Sequence, residues 1–343
     1  MIGVYIFILV LLLVSELLYF KVADHFNIID KPNERSSHSM VVLRGGGIIF
    51  TISIIVWMIW QIVQGEWLIV QDHLPFFIGL IMIAGVSFWD DVRSLPQSLR
   101  MIVQIFSILL MFWSIGVYSL EGSWAYIALI VLFALFVCLG AVNFINFMDG
   151  INGITAAYSF AMLLPMLLLN CNMKFVEESY LMVAILGVLV FSFFNFRPKG
   201  KAKCFAGDVG SIGIAFIILF ALGRLMLATQ DVTYIIFFLV YGVDGSMTIF
   251  HRMMLHENLG QPHRKHAYQL MANELKMSHV VVSLIYMGLQ LAISLGFIYW
   301  CPDTIVAHWV YLIAMAVVLG IAYVLFMIKY YHLHEEYLAS LKK

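Results

Sequence analysis

The amino-acid sequence predicts an all-α, polytopic membrane bundle. The 343-residue chain is 63% hydrophobic and only 11% charged, where soluble domains carry about 25% charged residues. Mean hydropathy is +0.97. The apolar residues gather into runs of the length that crosses ~30 Å of hydrocarbon.

Eleven such runs are read, at residues 2–20, 45–63, 74–89, 101–120, 124–142, 153–170, 179–196, 211–229, 232–251, 279–300 and 304–328. The first begins without a basic n-region or a small-residue cleavage site, so it reads as a retained helix and not a removed signal peptide. The second follows the glycine triplet 45–47. The third is short and stops at two aspartates. The fifth leads into an asparagine- and glycine-rich turn. Pro165 predicts a kink in the sixth. Glu16, Arg224 and His308 fall inside runs; Glu16 and Arg224 lie near run ends and are expected to snorkel. Asp244, late in the ninth, is the stronger functional candidate. Cys138, Cys171, Cys204 and Cys301 are scattered without a CxxC, which suggests neither a zinc site nor a disulfide framework. A net charge of −1 gives no case for nucleic acid.

Charge placement sets an expected orientation. With the N-terminus outside, all of the 19 lysines and arginines except Lys174 and Arg224 fall on inward loops or the inward tail, as the positive-inside rule requires. The C-terminus is then cytoplasmic. The same count puts the DD, NxxNxxDG and GDxGS islands and the H-x-x-H segment on the cytoplasmic face.

Those islands carry the chemistry. Asp90 and Asp91 end the third run; adjacent carboxylates repel, so one is protonated or a cation offsets them. Hard oxygen ligands without thiolate favour Mg²⁺, with Mn²⁺ as a substitute. The plain alternative, two solvated acids at a helix C-terminus, opposes the helix dipole. Asn143, Asn146 and Asp149 follow at i, i+3 and i+6, one helix face if the helix persists. They suit a ligand needing both hydrogen-bond recognition and charge, or else a capped turn before Gly150 and Gly153. Asp208, in Phe205-Ala206-Gly207-Asp208, precedes the eighth run as an ordinary first-turn acid or as part of an anion site at a helix N-terminus. His263, Arg264 and His266 form an H-x-x-H segment without an evident third metal ligand, better suited to phosphate. In the first loop Lys31, Arg35, His38 and Arg44 could contact a phosphate headgroup, or serve only as inside-positive charge.

Taken in order, DKPNERSSH…LRGGG, FWDDVRSLPQSLRMIVQ, NFINFMDGINGI, FAGDVGSIG and PHRKHAYQ resemble the polyprenyl-phosphate N-acetylhexosamine-1-phosphate transferases. This is the superfamily that also holds phospho-N-acetylmuramoyl-pentapeptide transferase. The likeness covers nearly the whole chain and implies one transferase domain over 1–343, its active site built by loops 21–44, 90–100, 143–152, 197–210 and 252–278. It implies transfer of a sugar-1-phosphate from a UDP-sugar, UDP-N-acetylglucosamine by default, to undecaprenyl phosphate, with release of UMP. It also implies a requirement for Mg²⁺ and a multi-pass location in a bacterial inner membrane. Homodimer and monomer both stay open.

By the same likeness, Asp208 ligates the metal with help from the Asp90/Asp91 pair, Asp91 included as a ligand. Asp149 and Asn146 position nucleotide, diphosphate or metal. Phe205 and Gly207 lie against uracil with Asn195 nearby, and His263, Arg264 and His266 grip phosphate or sugar. Asn152 departs from the aspartate expected there. The HRKHAYQ form is closest to the O-antigen and capsule-initiating branch. Two other classes compete: an ion-coupled transporter, which predicts mid-bilayer acids and repeated halves, and a GD-type intramembrane aspartyl protease, which wants glycine where Phe205 stands.

Overall fold

A computed structural model describes residues 2–30, 41–258 and 263–341. Every expected run is a helix: α1 (Ile2–His25), α2 (Ile48–Gln64), α3 (Trp67–Val92), α4 (Gln97–Ile115), α5 (Trp124–Met148), α6 (Ile154–Met173), α7 (Glu178–Asn195), α8 (Gly207–Thr229), α9 (Leu239–Met254), α11 (His279–Tyr299) and α12 (Ile305–Leu341). A short helix, α10 (Ala267–Asn273), lies between α9 and α11. The ninth span is a 3₁₀ segment, Val232–Phe238, running straight into α9. Ten spans are long and apolar enough to cross a membrane, and α2, at 17 residues, is a shorter apolar helix. The chain is a polytopic membrane helical bundle.

Burial orders the bundle. The run Val209–Leu222 of α8 is wholly buried, so α8 is the central post. It packs against α2, α3, α5 and α6. By contrast α1, α5 and α12 bury little of themselves and expose large apolar side chains such as Phe7, Phe136 and Ile328. A helix apolar all round with no protein against it has lipid as its solvent.

Two helices outgrow their sequence patterns. The third begins at Trp67, because Gln71, Asp72 and His73 break the apolar run but not the helix. Pro75 sits inside it, and the Phe76 amide one residue on donates to Ser114 Oγ at 2.9 Å. The last helix runs 37 residues, about 55 Å at 1.5 Å per residue, and so reaches well past any bilayer core. Glu16 does not snorkel: it is fully buried, and the Cys204 thiol donates to its Oε1 at 3.7 Å.

A small non-helical strap locks one end of the bundle. Strands β1 (Ile29–Asp30) and β2 (Val42–Leu43) pair antiparallel. The chain from Leu43 then pairs with the segment ahead of α8, through Phe205 N–H to Leu43 O (2.8 Å), Gly46 N–H to Phe205 O (2.9 Å) and Gly47 N–H to Ala206 O (3.1 Å). Only hydrogen atoms fit between the start of α2 and α8 here. A Cβ on Gly47 would lie 2.3 Å from Gly210 Cα. Because that obstacle is backbone, Gly47→Ala is expected to lower stability by about 1–3 kcal/mol. A thermal melt in detergent checks it; an unchanged midpoint would show that the strap is not tightly packed.

Candidate active site

The strap and the ends of α3, α4, α5 and α8 meet at one point. Gly207 opens α8 with φ +70°, a left-handed backbone that suits glycine. A side chain there would also strike the Asp91 carboxylate, 2.5 Å from the position of a Cβ. This bare corner lets Asp91 reach across from α3. Its Oδ1 accepts the Asp208 amide at 2.9 Å and its Oδ2 the Val209 amide at 3.0 Å. A carboxylate ending one helix thereby satisfies two orphan donors at the start of another, where the helix dipole favours negative charge.

Two arginines complete the cluster. Arg44, carried in by the strap, places Nε 2.7 Å from Asp91 Oδ1 and a terminal nitrogen 3.7 Å from Asp208 Oδ1. Arg100, in the first turn of α4, sets a single nitrogen, Nη1, 2.5 Å from Asp90 Oδ2 and 3.0 Å from Asp208 Oδ2. The other oxygen of Asp90 accepts the Leu95 amide at 2.7 Å. Three carboxylates and two guanidiniums thus share one half-buried volume. Asp208 sits in the first turn of α8 but does not cap it; Asp91 does. The carboxylate that shares a cationic atom with Asp208 at hydrogen-bond distance is Asp90, whereas both Asp91 oxygens are taken by backbone amides and Arg44.

The asparagine row keeps its helix. α5 continues to Met148 and Asp149 ends it, so Asn143, Asn146 and Asp149 do follow one face. Asn143 reaches Gln104 Oε1 of α4 at 3.4 Å and the Leu139 carbonyl at 2.8 Å. Asn146 Oδ1 accepts from Ser211 Oγ at 2.7 Å, tying α5 to α8. Asp149 Oδ1 accepts the Thr155 hydroxyl at 2.5 Å. Burial pushes Asp149 up to about 6; the Thr155 bond opposes the shift and the Asp91 charge adds to it.

Other expected residues hold backbone. Asn195 is buried; it accepts the Gly153 amide at 2.7 Å and donates to the Cys204 carbonyl at 2.8 Å. Asn152 donates to the carbonyls of Arg197 and Pro198, both at 3.0 Å, which is why an amide serves there. Phe205 contributes its backbone to the strap. Lys31, with Arg35 and His38, lies outside the described residues.

The histidine loop is braced by the far end of α12. Arg264 donates to Glu274 Oε1 at 3.1 Å and lies 4.3 Å over the Tyr337 ring. His334 Nδ1 is 2.9 Å from the same Glu274 oxygen. Lys265 pairs with Glu257 and faces the Tyr331 ring. Burial, with the His266 and Arg252 charges, holds His263 down at about 3, so it is neutral at physiological pH. Arg100 counts in the sequence only among the inside-positive charges; its place four residues beyond Pro96, at the start of a helix, is the signal that sets it apart.

Helical bundle and end-on cluster together define a multi-pass membrane protein in which three aspartates and two arginines converge at one end of an apolar frame. Residues 73–227 match the model of glycosyl transferase family 4, so this part of the chain is similar to that family of membrane sugar-phosphate transferases. The matched stretch runs from α3 to α8 and contains Asp90, Asp91, Arg100, Asp149 and Asp208. Arg44 and the histidine loop lie beyond it. No curated protein matches the chain.

The Asp149 shift has a stability consequence. A carboxyl raised from its ordinary 3.8 to about 6 in the fold contributes stability that is full below about pH 4 and lost as pH rises through about 6. Asp149→Asn is therefore expected to flatten the thermal midpoint over that window. A midpoint that falls between pH 4 and 6 as steeply as in the parent protein would overturn the assignment.

Proposed function

We propose that the chain transfers N-acetylhexosamine-1-phosphate from a UDP-sugar, by default UDP-N-acetylglucosamine, to undecaprenyl phosphate. The products are undecaprenyl-diphospho-sugar and UMP. The site faces the cytoplasm from a bacterial inner membrane, and the reaction begins a lipid-linked surface glycan of the O-antigen or capsule kind. One observation carries this reading: Asp90, Asp91 and Asp208 converge with Arg44 and Arg100 at the end of an apolar bundle. A lipid phosphate and a nucleotide diphosphate could meet there, one from the bilayer and one from water.

The donor set suits Mg²⁺. Asp90 and Asp208 present hard oxygens to one cationic nitrogen, and Mg²⁺ is commonly held by one or two carboxylates, the rest of its shell being water and substrate phosphate. When bound, the ion supplies charge neutralisation at the diphosphate.

Phosphoryl transfer rests mainly on positioning and charge stabilisation. Arg44 and Arg100 are cations placed to oppose the repulsion between two anionic substrates. Asp149 and Asn146 flank the same end of the bundle and orient the nucleotide-sugar. A lipid phosphomonoester with a second pKa of about 6 is already mostly dianionic at neutral pH, so removal of a proton is not required. Asp91 accepts from two amides and an arginine, so its oxygens are committed to holding the site together.

Purified protein with Mg²⁺, undecaprenyl phosphate and a panel of UDP-sugars is expected to release UMP. No UMP with any UDP-N-acetylhexosamine would sink the reading, and turnover resistant to EDTA would sink the metal role. Asp90→Asn and Asp91→Asn are each expected to lower turnover at every pH; a loss confined to low pH and rescued as pH rises would make that residue a base. Arg100→Ala frees the two carboxylates, so Mg²⁺ alone should raise the thermal midpoint more in this variant than in the parent. An equal or smaller shift would count against the Asp90–Asp208 position.

A further inference from the structure

Asp244 is buried against His266; the likeness expects His266 to grip phosphate or sugar, whereas Asp244 is left without a role. Asp244 lies on α9 and His266 immediately precedes α10. Around Asp244, Oδ1 meets His266 Nδ1 at 3.2 Å, the Ala267 amide at 3.2 Å and the Thr248 hydroxyl at 3.1 Å, while Oδ2 accepts the Tyr286 hydroxyl at 2.5 Å. Every neighbour is able to donate, and an ionised carboxylate is the acceptor that can satisfy them all. The imidazole therefore donates to this carboxylate from Nδ1.

His266 Nε2 is then the free end of the ring. It is buried and has no hydrogen-bond partner among the described residues. The ring itself is held in place by Tyr268 on one side, with centroids 5.7 Å apart, and by His263 on the other, at 5.0 Å. Tyr268 in turn donates to the Phe147 carbonyl at 3.0 Å, at the end of α5 beside Asp149. A buried polar atom left unpaired on a ring so firmly oriented calls for a partner that arrives from outside.

We propose that Asp244 is a positioning residue that holds His266, through Nδ1–H, so that an N–H at Nε2 donates to a phosphoryl oxygen of the anionic substrate. The proposal rests on the sugar-phosphate transfer reading. Asp244 itself touches no substrate; its negative charge favours a ring that carries N–H groups on both nitrogens, and its geometry sets the aim of that ring.

A double-mutant cycle tests it. His266→Gln and Asp244→Asn are each expected to lower kcat/KM by about 10²-fold, and the double variant to be no worse than His266→Gln alone. Losses that multiply toward ~10⁴-fold would show that Asp244 acts independently of His266 and overturn the proposal. Asp244→Glu, which keeps the charge, should recover part of the loss; no recovery counts against it. If Asp244→Asn does not fold, Tyr286→Phe loosens the same carboxylate. It should lower kcat/KM in the parent background and leave the His266→Gln background unchanged; equal losses in both would overturn the pair. Absence of turnover in the parent protein overturns the transfer reading instead. The cycle is then read on equilibrium binding of inorganic diphosphate, where a shared loss upholds the pair and independent losses overturn it.

Discussion

The bond between Asp91 and the start of α8 is the constraint from which the rest of the site follows. A helix that is buried over most of its length begins with unpaired amides, and in a membrane protein no water reaches them cheaply. The carboxylate of another helix answers two of them. That contact fixes α3 against α8, obliges residue 207 to lack a side chain, and draws Arg44 in as the counter-charge. Once Arg44 is there, the strap that carries it must lie along residues 204–206. The glycines that follow must then pack flat on α8. The charged cluster is thus an end-plate of the bundle, not an addition to it.

This shared role changes how substitutions at the site should be read. Loss of Asp91 would remove a helix cap, an arginine partner and a charge in one step. Loss of Asp90 would touch the Leu95 amide, Arg100 and the neighbouring Asp208, and no helix cap. An inactive Asp91 variant is therefore a statement about folding as much as about chemistry, and Asp90 and Asp208 are the cleaner probes.

Much of the frame was legible because lipid imposes a length rule on apolar runs, and every one of the eleven runs became a helix. The errors fall where tertiary contacts override that rule. Asp72 and His73 looked like a helix boundary, yet Asp72 pairs with Arg224 and His73 lies buried against Glu177. Glu16 looked like a snorkelling end and is fully buried. At the site, residue types were readable but partners were not. Asp90 and Asp91 are neighbours in sequence with identical chemistry; the turn of the helix sends one to Arg100 and the other to α8. Asn195 and Asn152 have the composition of ligand-binding amides and serve backbone carbonyls and amides. Nothing in the linear pattern separates those uses.

The overlong last helix has one more implication. Its membrane portion is exposed along most of its surface, whereas its distal end, through Tyr331, His334 and Tyr337, braces the loop that carries Arg264 and His266. A lipid-exposed helix adjusts its tilt to the thickness of the hydrocarbon around it. Any such tilt is levered over the ~18 Å by which α12 outreaches a 20-residue span up to Tyr337. The loop that carries Arg264 is thereby braced by a helix whose tilt answers to the thickness of the bilayer.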